Sequence, residues 1–203
     1  MYEKHKYLTQ ETLFEIFKDM FPNHEVLFNK QLFVKDSKGI RPDIQIPELN
    51  LVIEFDGYQH YTKASIAIND LKKTDIYSKY NLVQITIPYF VQLDQIAFDF
   101  FIKSKLETIG IQVEYKPEYN KYNYPHGFID EKAVLPADFC SLGILRFCTE
   151  LEIFPCEIVD QIKQSLLDKV PDDKIYGLQY VFPLEVEACS ILAYPEAVLK
   201  RYK

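Results

Sequence analysis

The sequence predicts a mixed α/β fold with a mainly helical second part. Three observations predict it. An apolar stripe at helical spacing opens the chain, and short β-type runs follow it. A helix–strand–helix unit then succeeds those runs before the pattern turns helical.

Thr9 is placed to cap the first helix, with Glu11 in its first turn. Leu13, Ile16, Phe17, Met20 and Phe21 recur at helical spacing, and Pro22-Asn23 stops them. A first strand is expected over Val26 to Val34, ended by the turn Asp36-Ser37-Lys38-Gly39. Two strands follow, Asp43 to Ile46 and Leu51 to Asp56, joined by Pro47-Glu48-Leu49-Asn50 and stopped at Gly57. Asn69 is a candidate cap for a helix reaching Tyr80. Leu82 to Ile87 reads as a strand stopped by Pro88, and Leu93 to Ile109 as a helix ended by Gly110.

Residues 1–110 thus form one unit. Residues 111–136 set Tyr115, Tyr119, Tyr122 and Tyr124 among Pro, Asn and Lys and read as a linker or folded-over loop. Residues 137–203 read as a helical extension, with helices near 138–151, 156–169 and 184–200 and a Pro-Asp-Asp turn at 171–173.

Composition narrows the classes. The chain has 203 residues, 48% of them hydrophobic, which is enough for a substantial core. It holds no run of about 18 apolar residues, so no membrane span is expected. Its start lacks the apolar stretch of a signal peptide, which makes a cytoplasmic protein the default. Cys140, Cys148, Cys156 and Cys189 show neither a CxxC pair nor zinc spacing, so they read as small apolar residues. The net charge of −7 argues against coating nucleic acid by bulk charge. It still permits an acidic metal site with a locally basic rim. The acid excess lies beyond residue 110.

The hairpin carries the chemistry. If residues 47–50 close an antiparallel pair, Ile46 faces Leu51, Gln45 faces Val52, Ile44 faces Ile53, and Asp43 faces Glu54. Ile44, Ile46, Leu51 and Ile53 then share a core face. Asp43, Gln45, Val52, Glu54 and Asp56 share the other. Opposed carboxylates would sit about 5 Å apart at Cβ and repel. Either one takes a proton or a cation sits between them. A hard divalent ion suits such oxygen donors and suits phosphodiester hydrolysis. The bland alternative is a solvated hairpin face with two surface acids. His60 follows Asp56 by four residues and would act as a general base or stabilise a leaving group. Asp70 opens the next helix, with Lys73 and Tyr77 on its face; its bland role is to complement the helix dipole.

"RPDIQIPELNLVIEFDGYQHY", followed by "NDLKKTDIYSKYNLVQITIPY", resembles the very-short-patch-repair-like endonucleases, a branch of the PD-(D/E)XK restriction-endonuclease-like superfamily. The resemblance covers about residues 9 to 100. It implies a restriction-endonuclease-like core, a central mixed sheet flanked by helices, and a Mg²⁺-dependent nuclease in which Mn²⁺ can substitute. Carried over by position, it implies metal ligation by Asp43, Glu54 and Glu11, with Glu15 as the alternative to Glu11. It implies His60 as the catalytic histidine and Asp70 as the later acid. Asp56 stands where the superfamily carries a lysine; the histidine-based variant does without it, and Lys63 or Lys73 are the cations that would reach the site from elsewhere.

The expectation is a metal-dependent DNA endonuclease working in restriction, phage or mobile-element biology, or repair, with no small-molecule cofactor. One rival is a nuclease-like fold without chemistry that serves as a binding or assembly module. Another is an RNA endonuclease. The acidic helix "CEIVDQIKQSLLDK" suits helical packing or a homodimer module better than reading a DNA groove.

Overall fold

The chain enters through α1 (Gln10–Met20). Thr9 is extended and its side chain accepts from the Thr12 N–H, so the expected cap is in place. Leu13, Ile16 and Phe17 are the buried stripe. The computed structural model describes residues 7–34, 37, 39–120, 124–129, 132–133 and 138–169. The helix expected at 184–200 and the turn at 171–173 lie outside the described residues.

A four-stranded sheet follows, in the order β1-β2-β3-β4. The first strand is much shorter than expected. Only β1 (Leu27–Phe28) pairs, antiparallel to β2 (Ile44–Ile46). Asn29 takes a left-handed φ of 50°, which turns the chain away from the ladder directly after Phe28. β2 and β3 (Leu51–Asp56) form the antiparallel hairpin in the expected register: Ile44 with Ile53, Gln45 with Val52, Ile46 with Leu51. A 3₁₀ turn over Pro47–Leu49 closes it, and Asn50 at φ 49° lets the chain reverse.

Two helices lead out of β3: a single turn, α2 (Gln59–Thr62), then α3 (Ala64–Lys79). α3 starts five residues before the expected cap, because nothing between Ala64 and Asn69 breaks a helix; Asn69 and Asp70 are interior positions. β4 (Val83–Pro88) returns parallel to β3, pairing Val52 with Gln84, Glu54 with Thr86 and Asp56 with Pro88. The next helix is one rod in three parts: α4 (Gln95–Ala97), a π-helical stretch (Phe98–Lys103) and α5 (Ser104–Glu107). Asp94 caps its start, and Gly110 at φ 75° follows its end.

The sheet is buried on both faces. Ile44, Ile46, Leu51, Ile53, Ile85 and Ile87 pack with α1 and the α4–α5 rod. Val52 meets Tyr77 of α3, with Leu32 and Leu82, on the other. The second half joins the first of these cores. After Pro117–Asn120 and the small ribbon of β5 (Phe128–Ile129) and β6 (Lys132–Ala133) come α6 (Ser141–Ile153) and α7 (Cys156–Lys169). Ile144, Phe147 and Leu151 of α6 and Ile158, Val159 and Ile162 of α7 belong to the same cluster as the sheet. Tyr119, from the tyrosine-rich stretch, is also core. α6 meets α2 at very close range: the Cys140 N–H donates to the Tyr61 carbonyl at 2.9 Å, one turn before Gly143. Among the described residues, no helix is long and apolar enough to cross a membrane.

Candidate metal centre

The parity of β3 decides which side chains meet. Leu51 and Ile53 enter the larger core, so Val52, Glu54 and Asp56 turn to the opposite face, beneath α3. That face is not a wet one. Glu54 and Asp56 are each only 4% exposed, which removes the solvated-hairpin alternative.

The helix α3 supplies the partners one turn at a time. The Tyr77 hydroxyl donates to Glu54 Oε1 at 2.5 Å. Lys73 Nζ lies 3.0 Å and 3.1 Å from the two Glu54 oxygens. The cation beside Glu54 therefore comes from the helix α3. Lys63 does not fill this role; its ammonium bonds Gln59 Oε1 at 3.3 Å. Asp43 stands at the entry to β2, where the Phe55 N–H donates to its Oδ2 at 2.7 Å. Burial pushes the Glu54 carboxyl up to about 7, with Lys73 pulling against it and Asp43 adding to it. Burial likewise raises Asp43 to about 6, opposed by the Phe55 N–H and the Lys73 charge.

Asp70, one turn before Lys73, meets the loop after β3. Its Oδ2 lies 2.6 Å from His60 Nδ1, and Asp56 Oδ1 lies 3.2 Å from the same nitrogen. Burial works against a charged His60 imidazole; the Asp70 hydrogen bond and the charges of Asp56 and Asp70 outweigh it and hold His60 above its ordinary value. Donor atoms of Asp56, His60 and Asp70 all lie within 4.8 Å of one another, and this group could hold a metal ion. The donor chemistry fits: two carboxylates and one imidazole are ordinary ligands of a divalent metal ion. This group differs from the expected ligand set. Asp43 and Glu54 adjoin it. Glu11 is exposed, and Glu15 pairs with Lys18, so neither takes part in the hydrogen bonds or ion pairs of the site.

The residues that sequence reasoning missed come from α6 and α2. Arg146 bonds Asp56 Oδ2 through Nη2, lies 3.5 Å from Asp70 Oδ2 through Nη1, and bonds Glu150 Oε1 through Nε at 2.7 Å. Tyr61 completes the set: its hydroxyl donates to Glu150 Oε2 at 2.7 Å, and its ring lies 4.8 Å from the guanidinium carbon. The one available signal was the i,i+4 spacing of Arg146 and Glu150 within the mostly apolar run "SLGILRFCTELEI". Part of the group opens on a cleft of about 950 Å³, which Glu54, Asp56, Asp70, Lys73, Arg146 and Glu150 line with their polar side chains. Leu71, Leu145 and Ile153 form an exposed apolar rim.

No family model, curated protein or solved structure matches this chain.

Proposed function

We propose that the chain is a metal-dependent DNA endonuclease built on a restriction-endonuclease-like core. The observation that carries the reading is the Asp56, His60 and Asp70 group beside buried Asp43 and Glu54, of which Asp56, Asp70 and Glu54 line a cleft with room for a large ligand. The sheet order and the antiparallel-then-parallel pairing agree with the core that the sequence resemblance implies. So does Lys73, which brings a cation to the glutamate that lacks its lysine neighbour.

Asp56 and Asp70 would hold the ion, with the His60 imidazole as third donor; Mg²⁺, or Mn²⁺ in its place, would polarise a phosphoryl oxygen and acidify a water. Asp43 and Glu54 carry carboxyls pushed to about 6 and about 7, the range in which a group exchanges a proton at neutral pH. One of them would accept the water's proton as the new phosphorus–oxygen bond forms, and that proton would pass to the leaving oxygen as the old phosphorus–oxygen bond breaks. Lys73 keeps Glu54 in place and offsets charge gathering at the phosphate. This moves His60 from the base role that its sequence position suggested to the ligand set.

The test is cleavage of duplex DNA in Mg²⁺ and in Mn²⁺ by the wild type, Asp43→Asn, Asp56→Asn and His60→Ala. The reading expects wild-type nicking or cutting and loss of it by at least about a hundredfold in each variant. Equal cutting by all four would trace the activity to a contaminant and overturn it. Faster cutting of RNA than of DNA would move the substrate class to RNA.

One observation favours a second reading, a binding or assembly module without chemistry. Three acids of the polar cluster already face a protein cation: Glu54 meets Lys73, and Asp56 and Asp70 meet His60 and Arg146. That reading expects no divalent-ion binding and no cleavage, with DNA or protein binding untouched by Asp43→Asn.

A further inference from the structure

Arg146 is poised differently from Lys73, the cation beside Glu54. Lys73 is committed to one carboxylate, through both of its oxygens. Arg146 divides its contacts between two regions. On one side Nε is bonded to Glu150, which the Tyr61 hydroxyl holds from its second oxygen, while the Tyr61 ring backs the guanidinium. On the other side Nη1 and Nη2 rest on Asp70 and Asp56, the two carboxylates of the candidate ion site. The anchor and the fork therefore draw on different acids, although one rigid plane carries both. An ion between Asp56 and Asp70 would compete with the fork for the same carboxylates, and its charge would repel the guanidinium. It would leave the Glu150 and Tyr61 anchor in place.

We propose that Arg146 is a phosphate-binding residue whose two Nη ends rest on Asp56 and Asp70 until an ion takes those carboxylates. This rests on the nuclease reading above. The released fork remains at the wall of the cleft, beside the ion's own ligands. A planar guanidinium presents two N–H donors in parallel, the pattern that two oxygens of one phosphate accept. Arg146 is the one arginine among the residues lining the cleft. Asp56, Asp70, Glu54 and Glu150 line the same cleft and would repel a phosphodiester, so a second cation beside the ion has a clear electrostatic task. The competing view is that Arg146 only staples α6 to β3 and α3.

The two views differ in the sign of an effect. Mn²⁺ binding is measured by titration calorimetry, and binding of a fluorescein-labelled DNA duplex in Ca²⁺ by anisotropy, for the wild type, Arg146→Met and Arg146→Lys. The proposal expects Arg146→Met to bind Mn²⁺ several-fold more tightly, because a competing cation is gone. It expects the same variant to bind DNA roughly tenfold more weakly, the worth of a charge-assisted bond pair. Arg146→Lys keeps the charge but lacks the fork, so its DNA affinity falls while Mn²⁺ affinity is not weakened. Should Arg146→Met fail to fold, the lysine variant carries the test by itself. A staple that fails would weaken both ligands together, and that outcome overturns the proposal. Unchanged DNA affinity in both variants overturns it too. A wild type that takes up no Mn²⁺ removes the nuclease reading and this inference with it; a wild type that binds Mn²⁺ while Arg146→Met loses both ligands removes the inference alone.

Discussion

Replacing Gly143 with alanine should move the helix that brings Arg146 to the site. A Cβ at Gly143 would lie 1.8 Å from the Tyr61 carbonyl oxygen, 2.5 Å from its carbon and 2.7 Å from its Cα. All three are backbone atoms of α2, so no side chain can swing aside. Ordinary contact at about 3.4 Å requires α6 and α2 to part by about 1.6 Å. Overpacking of that kind costs about 1–3 kcal/mol. The parting also breaks the 2.9 Å bond from the Cys140 N–H to the Tyr61 carbonyl. Leaving those groups unpaired adds about 1–3 kcal/mol. Alanine returns about 1 kcal/mol as the better helix former. The net loss is about 1–5 kcal/mol, a fall in Tm on the order of 10 °C for a chain of this size. Differential scanning calorimetry reads it, with Gly57→Ala as the control, because a Cβ there meets nothing within 4 Å. A Tm at or above wild type would refute the close approach, and with it the placement of Arg146 by α6.

Other consequences follow from the same contacts. In EDTA, the fold should lose stability as pH rises from about 4.5 to about 7.5. Folded Asp43 and Glu54 hold protons up to about 6 and about 7, whereas the unfolded chain releases them near 3.8 and 4.5, so the folded state binds more protons across that window. Urea titrations at both ends of the window should differ by on the order of 5 kcal/mol, and equal values would contradict the burial. Asp94 has the opposite sign. Burial pushes its carboxyl up, but the His126 hydrogen bond and the Ala97 N–H outweigh that and hold it below the ordinary range. Its contribution is complete above the unfolded value and is lost as pH falls through the folded one. The stability gap between wild type and Asp94→Asn should therefore narrow on acidification below about pH 4. Lys73→Met leaves Glu54 in the interior without its cation. Denaturation at pH 8 should show a loss of about 2–4 kcal/mol, and at pH 5, with the carboxyl protonated, a much smaller one.

Parts of this were legible in the sequence because they are local. The connection at 47–50 and the alternation of Ile44, Ile46, Leu51 and Ile53 sufficed for the hairpin register. Thr9 and the Leu13–Ile16–Phe17 stripe sufficed for α1. The helical spacing of Asp70, Lys73 and Tyr77 put all three on the site face, although Asp70 proved interior rather than first-turn. What was not legible depends on distance along the chain. Asp56 and Arg146 are 90 residues apart, and no periodicity links them. The length of β1 hinged on one left-handed residue, Asn29, that a run of apolar letters does not reveal. The expected ligand set was Asp43, Glu54 and Glu11, whereas the group of donors that lie together is Asp56 at the end of β3, His60 in the short turn of α2 and Asp70 in α3, and only the tertiary fold brings these together.

The most direct measurement of the central claim is Mn²⁺ titration of the wild-type protein beside Asp56→Asn and Asp70→Asn. One saturable site in the wild type, lost in both variants, is the result that three donors within 4.8 Å predict. Heat that never saturates, or identical isotherms in all three proteins, would contradict it.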